Sequence, residues 1–194
     1  IGKSRLDAAM EMRPDHRFQI AWHPFMPNPD MPPEGMDRRD YLEAKFGGQK
    51  AVIDAYLPVQ QAAAEAGIPL DLAAIRRTPS TLDAHRMIHW AGLEGRQTAM
   101  VSALFSAYFN DGADIGAHAV LLALAESAGL QTEMVARLLD SAADLDEIRA
   151  RDADIRARGL RGVPAFVIAG QHVVAGAQEV AFWLRIIDEL AERA

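Results

Sequence analysis

The stretch that most constrains this chain is Gly162-Val163-Pro164-Ala165-Phe166-Val167-Ile168. A glycine turn and a Val-Pro bond lead into a short apolar run bounded by Gly170, the pattern of a buried strand. Pro164 stands at the strand start, where a missing N–H is tolerated. The bond before it is open to the cis form, which costs only about 0.5–1 kcal/mol at proline. An ordinary strand-initiating proline is the simpler alternative. Gln171–Ala175 then reads as a second strand after a hairpin turn centred on Gly170. Gly176 ends that strand. A closing helix follows, with Val180, Trp183, Leu184, Ile187, Leu190 and Ala191 on one face to cover the sheet.

A chain of 194 residues, half of them hydrophobic, can bury a sizeable core, as one domain or as a domain with a large insertion. Its 20 basic and 27 acidic residues leave a net charge of −7, which argues against nucleic acid or an anionic membrane as partner. No apolar run approaches the roughly 18 residues that span a bilayer. No signal-peptide pattern is present, which points to the cytoplasm. There is no cysteine, hence no disulfide framework and no Cys-rich metal site.

The chain opens inside a helix, with Leu6, Ala9 and Met10 on one face and Pro14 as its stop. Phe18–His23 alternates, with aromatics at Phe18 and Trp22, and is expected to be a strand. Pro24 to Gly35 is too rich in proline for either element. Its apolar members Phe25, Met26 and Met31 either line a groove or pack under the loop. Asp37 and Asp40 form an N-cap box for a helix over Arg38–Phe46, ended by Gly47-Gly48; a longer helix runs from Lys50 to Ala66. Ser80 to Asp83 is a second capping signature, before a helix holding His85 and His89 on one face. With no H-E-x-x-H pattern and no third ligand, that pair is not expected to bind metal. Further helices are read over Arg96–Phe109, Val120–Ala128 and Val135–Leu139. The charge-dense run Asp144–Arg158 keeps an apolar stripe and reads as a solvated helix, with Gly159 as its C′ cap and Leu160 touching Ile155.

Several words, in order, carry a resemblance. They are Ile1-Gly2-Lys3 with Arg5-Leu6, Trp22-His23-Pro24-Phe25, the loop Asn28 to Gly35 continuing into Lys45-Phe46-Gly47, Thr81-Leu82-Asp83-Ala84-His85-Arg86, Gly162-Val163-Pro164, and Gly176-Ala177-Gln178. Across essentially its whole length the chain resembles DsbA-like proteins, and most nearly the FrnE-type branch. The resemblance implies an α/β thioredoxin fold with a large all-helical insertion. Residues 1–36 and 155–194 would form the thioredoxin-like domain, and 37–154 the insertion. It also implies a first strand, lying between the Phe18 strand and the Ala165 strand, and a Cys-x-x-Cys pair just before Ile1; the chain is therefore expected to be truncated at its N-terminus.

The activity so implied is thiol–disulfide oxidoreduction or isomerisation on protein or small-molecule thiols and disulfides. Val163 and Pro164 would form the cis-proline loop facing the thiols, and Phe25 and Met26 would be groove residues. Related 2-hydroxychromene-2-carboxylate isomerases and kappa-class glutathione transferases use glutathione as co-substrate, with a Ser-Asp or Asn-Asp pair after the hairpin. This chain has Ala177-Gln178 there, and a neutral Gln178 offers no carboxylate to the glutathione ammonium. The oxidoreductase reading therefore ranks first, the glutathione-dependent isomerase second and a redox-inactive binding module third. No resident cofactor is expected. The exposed methionines would suit a homodimer surface.

Overall fold

The structure, a computed structural model, describes residues 1–192. The last two positions of the expected 155–194 segment lie outside them. In chain order the elements are α1 (Gly2–Glu11), β1 (Met36–Asp37), α2 (Arg38–Phe46), α3 (Gln49–Glu65), β2 (Arg77–Thr78), α4 (Leu82–Leu93) and α5 (Gln97–Phe105). After a π-helical turn over Ser106–Asn110 come α6 (His118–Ser127), α7 (Thr132–Leu139), α8 (Leu145–Ala157), β3 (Ala165–Ile168), β4 (His172–Ala175) and α9 (Val180–Ala191).

Local chemistry places several boundaries. The Asp37 carboxylate accepts the N–H groups of Arg39 and Asp40, two of the donors that a helix start leaves unpaired. At the end of α8, Gly159 N–H donates to Arg156 C=O at 2.9 Å and Leu160 N–H to Ile155 C=O at 3.3 Å. Those are the two bonds of a Schellman cap, and they need the φ of +89° that Gly159 adopts. The second expected cap is not made. Thr81 precedes α4 without a side-chain cap bond. Asp83 turns instead to Arg86 Nη1 at 2.7 Å and His118 Nε2 at 3.1 Å, because a buried guanidinium outcompetes backbone N–H groups for a carboxylate.

Two apolar clusters form. In the helical part, Met87, Met100 and Leu121 are fully buried among Trp90, Leu104, Val135 and Leu139. Each such side chain contributes about 1.5–3 kcal/mol on burial. The smaller cluster joins α1, the hairpin and α9 through Ala9, Trp183 and Ile187, with Phe166, Ile168 and Val174 against them. β3 and β4 pair antiparallel, Ala165 opposite Ala175 and Ile168 opposite His172. Phe166 stacks edge-on to Trp183 with centroids 4.5 Å apart.

The expected strand over Phe18–His23 is not formed; the segment is irregular, so the sheet expected to hold it one strand position from the Ala165 strand does not arise. A strand needs a neighbour for its ladder, and none runs beside it among the described residues. The Gln97 amide substitutes at one point: Oε1 accepts Trp22 N–H at 2.9 Å and Nε2 donates to Trp22 C=O at 3.2 Å. β1 and β2, two residues each, pair antiparallel far from the hairpin.

Arg86 is the polar centre of the helical part, 1 % exposed. It donates to the carbonyls of Ala143 at 2.8 Å, Ser141 at 2.9 Å and Leu138, capping the end of α7, and its guanidinium lies 4.8 Å from the Trp90 ring centroid. Arg86→Met should lower unfolding free energy by on the order of 3 kcal/mol, since several part-buried carbonyls and the Asp83 carboxylate lose their donor at once. Urea denaturation measures the loss. Arg86→Lys should recover little of it, because one ammonium cannot reach these separated carbonyls together.

Candidate functional site

The start of α1 sits directly on Pro164. A Cβ at Gly2 would lie 2.9 Å from Pro164 Cγ and 3.3 Å from Phe166 Cζ, so only glycine permits this approach. Arg5, one turn on, is buried and holds the arrangement from the side. Its Nη1 lies 3.0 Å from Ala177 C=O and 2.8 Å from Glu179 Oε1, and Nη2 lies 3.8 Å from Glu65 of α3. No acidic residue occupies the first turn of α1. The unpaired N–H groups and positive dipole end there favour an anion.

The loop opposite is held on one side and open on the other. Pro164 C=O accepts Gly176 N–H at 2.8 Å, closing the hairpin, and the Val163–Pro164 bond is cis. Val163 is 60 % exposed, and among the described residues its N–H and C=O make no backbone hydrogen bond. Gln178 lies beside the same hairpin, its Nε2 donating to Ala175 C=O at 2.8 Å.

Phe25 and Met26 are anchored elsewhere. Met26 is 6 % exposed, so its side chain packs under the loop instead of lining an open groove. Its N–H donates to Asp152 Oδ1 at 2.6 Å, and its C=O accepts from Arg156, which pairs with Asp152 at 2.7 Å. Phe25 is half-buried, with the Arg156 guanidinium 4.2 Å from its ring centroid. The structure thus brings Val163, Pro164 and Gln178 together at the hairpin and fixes Phe25 and Met26 to α8. Arg5 is the site residue that sequence reasoning passed over, noted only as one letter of a motif.

The two helix-face histidines have separate surroundings. His85 Nε2 lies 3.3 Å from Phe25 C=O. A carbonyl only accepts, so Nε2 carries the proton. His89 Nδ1 lies 3.2 Å from Arg151 Nη1 and 3.9 Å from Glu147 Oε1. His89, Glu147 and Asp144 have ligand atoms within 4.8 Å of one another, but the guanidinium of Arg151 already stands against His89 and Glu147, and Asp144 Oδ2 accepts Trp90 Nε1–H at 2.7 Å.

The chain as a whole is similar to known proteins. The model of the DSBA-like thioredoxin domain matches residues 1–188, and the chain belongs to that family. Its α/β architecture is the DsbA-like thioredoxin fold with a helical insertion. A probable DsbA oxidoreductase, SCO1869 from Streptomyces coelicolor, is similar over all of this chain and 84 % of its own, with 26 % identity and a TM-score of 0.85. A 2-hydroxychromene-2-carboxylate isomerase shares the fold at a TM-score of 0.71 and 17 % identity, over 99 % of this chain and 91 % of its own. No curated protein sequence matches. Among the described residues no helix is long and apolar enough to cross a membrane.

Burial holds the His85 imidazole below its ordinary pKa, against the opposing pull of the Phe25 carbonyl, and partial burial also lowers that of His23. The unfolded chain therefore binds more protons than the folded one as pH falls below about 6.5, and stability falls with it, by at most about 1.4 kcal/mol per pH unit for each histidine. Unfolding titrations at pH 7 and pH 5 should show the loss, and His85→Gln should make the acid limb shallower.

Proposed function

We propose that this chain is the DsbA-like part of a thiol–disulfide oxidoreductase, acting through a Cys-x-x-Cys that precedes Ile1. The observation carrying this reading is the contact of the first turn of α1 with Pro164, which sets a helix N-terminus against an exposed backbone edge. The division into a thioredoxin-like part, 1–36 and 155–194, and a helical part, 37–154, belongs to the same reading.

A thiol at the N-terminus of α1 would lie in the positive field of the helix, which lowers its pKa and raises its thiolate fraction. The thiolate attacks one sulfur of a substrate disulfide, forming a mixed disulfide and releasing the other sulfur as a thiolate. The second thiol of the pair, deprotonated, then attacks the mixed disulfide, leaving the pair oxidised and the substrate reduced; the reverse sequence oxidises a substrate dithiol. Val163 N–H and C=O would meanwhile pair with an extended substrate as one added strand. The second reading, a glutathione-dependent isomerase, would use the same groove. The Gln178 amide engages Ala175 C=O and carries no charge for the glutathione ammonium, which favours the first.

The natural full-length protein should contain a reactive dithiol by alkylation and mass analysis, and should reduce insulin. Val163→Pro, which removes the exposed N–H, should slow exchange with an extended peptide disulfide about fivefold, the worth of one hydrogen bond. Exchange with dithiobis(nitrobenzoate), which has no backbone to pair, should stay unchanged. Efficient isomerisation of 2-hydroxychromene-2-carboxylate with glutathione, without dithiol exchange, would reverse the ranking; absence of both would leave a binding module.

A further inference from the structure

Away from the hairpin, the helical part holds a buried cation without an anion. Arg38, the first residue of α2, is 8 % exposed. Its Nη1 donates to Tyr108 Oη at 3.1 Å and its Nη2 to Tyr56 Oη at 3.2 Å, and its guanidinium lies 5.5 Å from the Tyr56 ring centroid. Among the described residues it has no carboxylate partner. Burial raises the Tyr108 phenol above its ordinary pKa, so Tyr108 meets Arg38 as a neutral hydroxyl and not as a phenolate. Two of five guanidinium N–H groups are thus spoken for, both by neutral acceptors. Buried charges are ordinarily paired, and this one is not.

Arg38 also lines a cleft of about 340 Å³ between α2, α3 and the loop before β2. That volume falls within the range of ligand pockets, about 300–1,000 Å³. Leu42, Val52, Leu72 and Ile75 give it apolar walls. Arg39 and Arg76 line it with Arg38, and Asp37 and Glu43 are its acids. The Asp37 carboxylate is committed to the N–H groups of α2, and Arg39 lies 3.7 Å from Asp40. With Arg39 offset by Asp40, Arg38 and Arg76 are the cations of the cleft that have no carboxylate in contact among the described residues.

Irregular backbone shapes the surroundings of the cleft. The π-helical turn carries Tyr108 to Arg38 and sets Phe109 C=O to accept Asp71 N–H at 3.1 Å. Gly112, at φ +67°, lets the backbone pass so close to Ala74 that a Cβ would fall 2.5 Å from Ala74 C=O. Such π-turns cluster at functional sites.

We propose that this cleft binds a small organic monoanion, an apolar body bearing one carboxylate, with Arg38 as the carboxylate's partner. The site shares no residue with the Pro164 loop and stands or falls apart from the redox reading. Octanoate, 1-octanol and octylamine are the probes, titrated into the protein by calorimetry and followed by amide NMR shifts. Octanoate should bind saturably and at least about tenfold tighter than octanol, octylamine should not bind, and shifts should centre on Arg38, Ile53 and Arg76. Arg38→Gln should weaken octanoate on the order of tenfold or more, the worth of a charged hydrogen bond. Should that variant not fold, Ile53→Glu serves, since Ile53 lines the cleft at 65 % exposure; its carboxylate should weaken octanoate at least about fivefold at an unchanged melting temperature. Equal affinity for octanol and octanoate, absence of saturable octanoate binding, shifts centred elsewhere, or full octanoate affinity in Ile53→Glu would overturn the proposal.

Discussion

The pair between Asp152 and Arg156 holds this molecule's parts in register. Asp152 is 3 % exposed, and its carboxylate takes both Arg156 Nε–H and the Met26 N–H. Arg156 returns a bond to Met26 C=O and covers Phe25. One turn of α8 thereby fixes the segment that leaves α1. The same helix ends at Ala157 and is capped by Gly159, five residues before Pro164. Removing Arg156 would strand the Asp152 carboxylate in the interior, an error larger than most single losses. The path of residues 24–26 past α8 therefore rests on this ion pair, while the Gly2–Pro164 contact and Arg5 set α1 against the proline loop.

Around that pair the architecture repeatedly uses arginine to satisfy carbonyls that helices and loops leave open. Arg86 caps α7, Arg5 meets Ala177 ahead of α9, Arg96 donates to Ala128 after α6, and Arg156 meets Met26. A planar fork with several donors suits scattered acceptors better than a single ammonium does. Arg38 departs from that pattern, with phenols where the others have carbonyls or carboxylates. The departure is a chemical distinction within one protein, read against its own habits.

Much of this was legible in the residues, and what was missed has a common cause. The Asp37 cap, the Gly159-Leu160 cap and the hairpin after Pro164 depend on contacts within a few positions, so local patterns reveal them. Phe18–His23 has the alternation of a strand, but a strand is a relation between two segments, and the alternation says nothing of the second. β1 and β2, at two residues each, are too short to show a period. The π-turn interrupts a helix whose apolar spacing continues through it. Nothing near Arg5 and Arg38 in the sequence marks them as buried, since arginine is usually exposed and their partners lie up to 174 positions away. Met26 was ambiguous between groove and core for the same reason.

The Gln97 amide that clasps Trp22 has a consequence for how the molecule breathes. A ladder shares its load over many bonds and opens as a unit, whereas Trp22 is held by three bonds to the side chains of two adjacent residues, Gln97 and Thr98. Residues 15 to 21 have little else: Phe18 and Ile20 are each 38 % exposed. This stretch is thus a small cooperative unit of its own, tethered at its C-terminal end by Asp152 and at its N-terminal end by Arg13, which grips Asp188 of α9. Its amides should exchange with solvent through local opening, well before those of α4 and α6, and such opening leaves both apolar clusters intact.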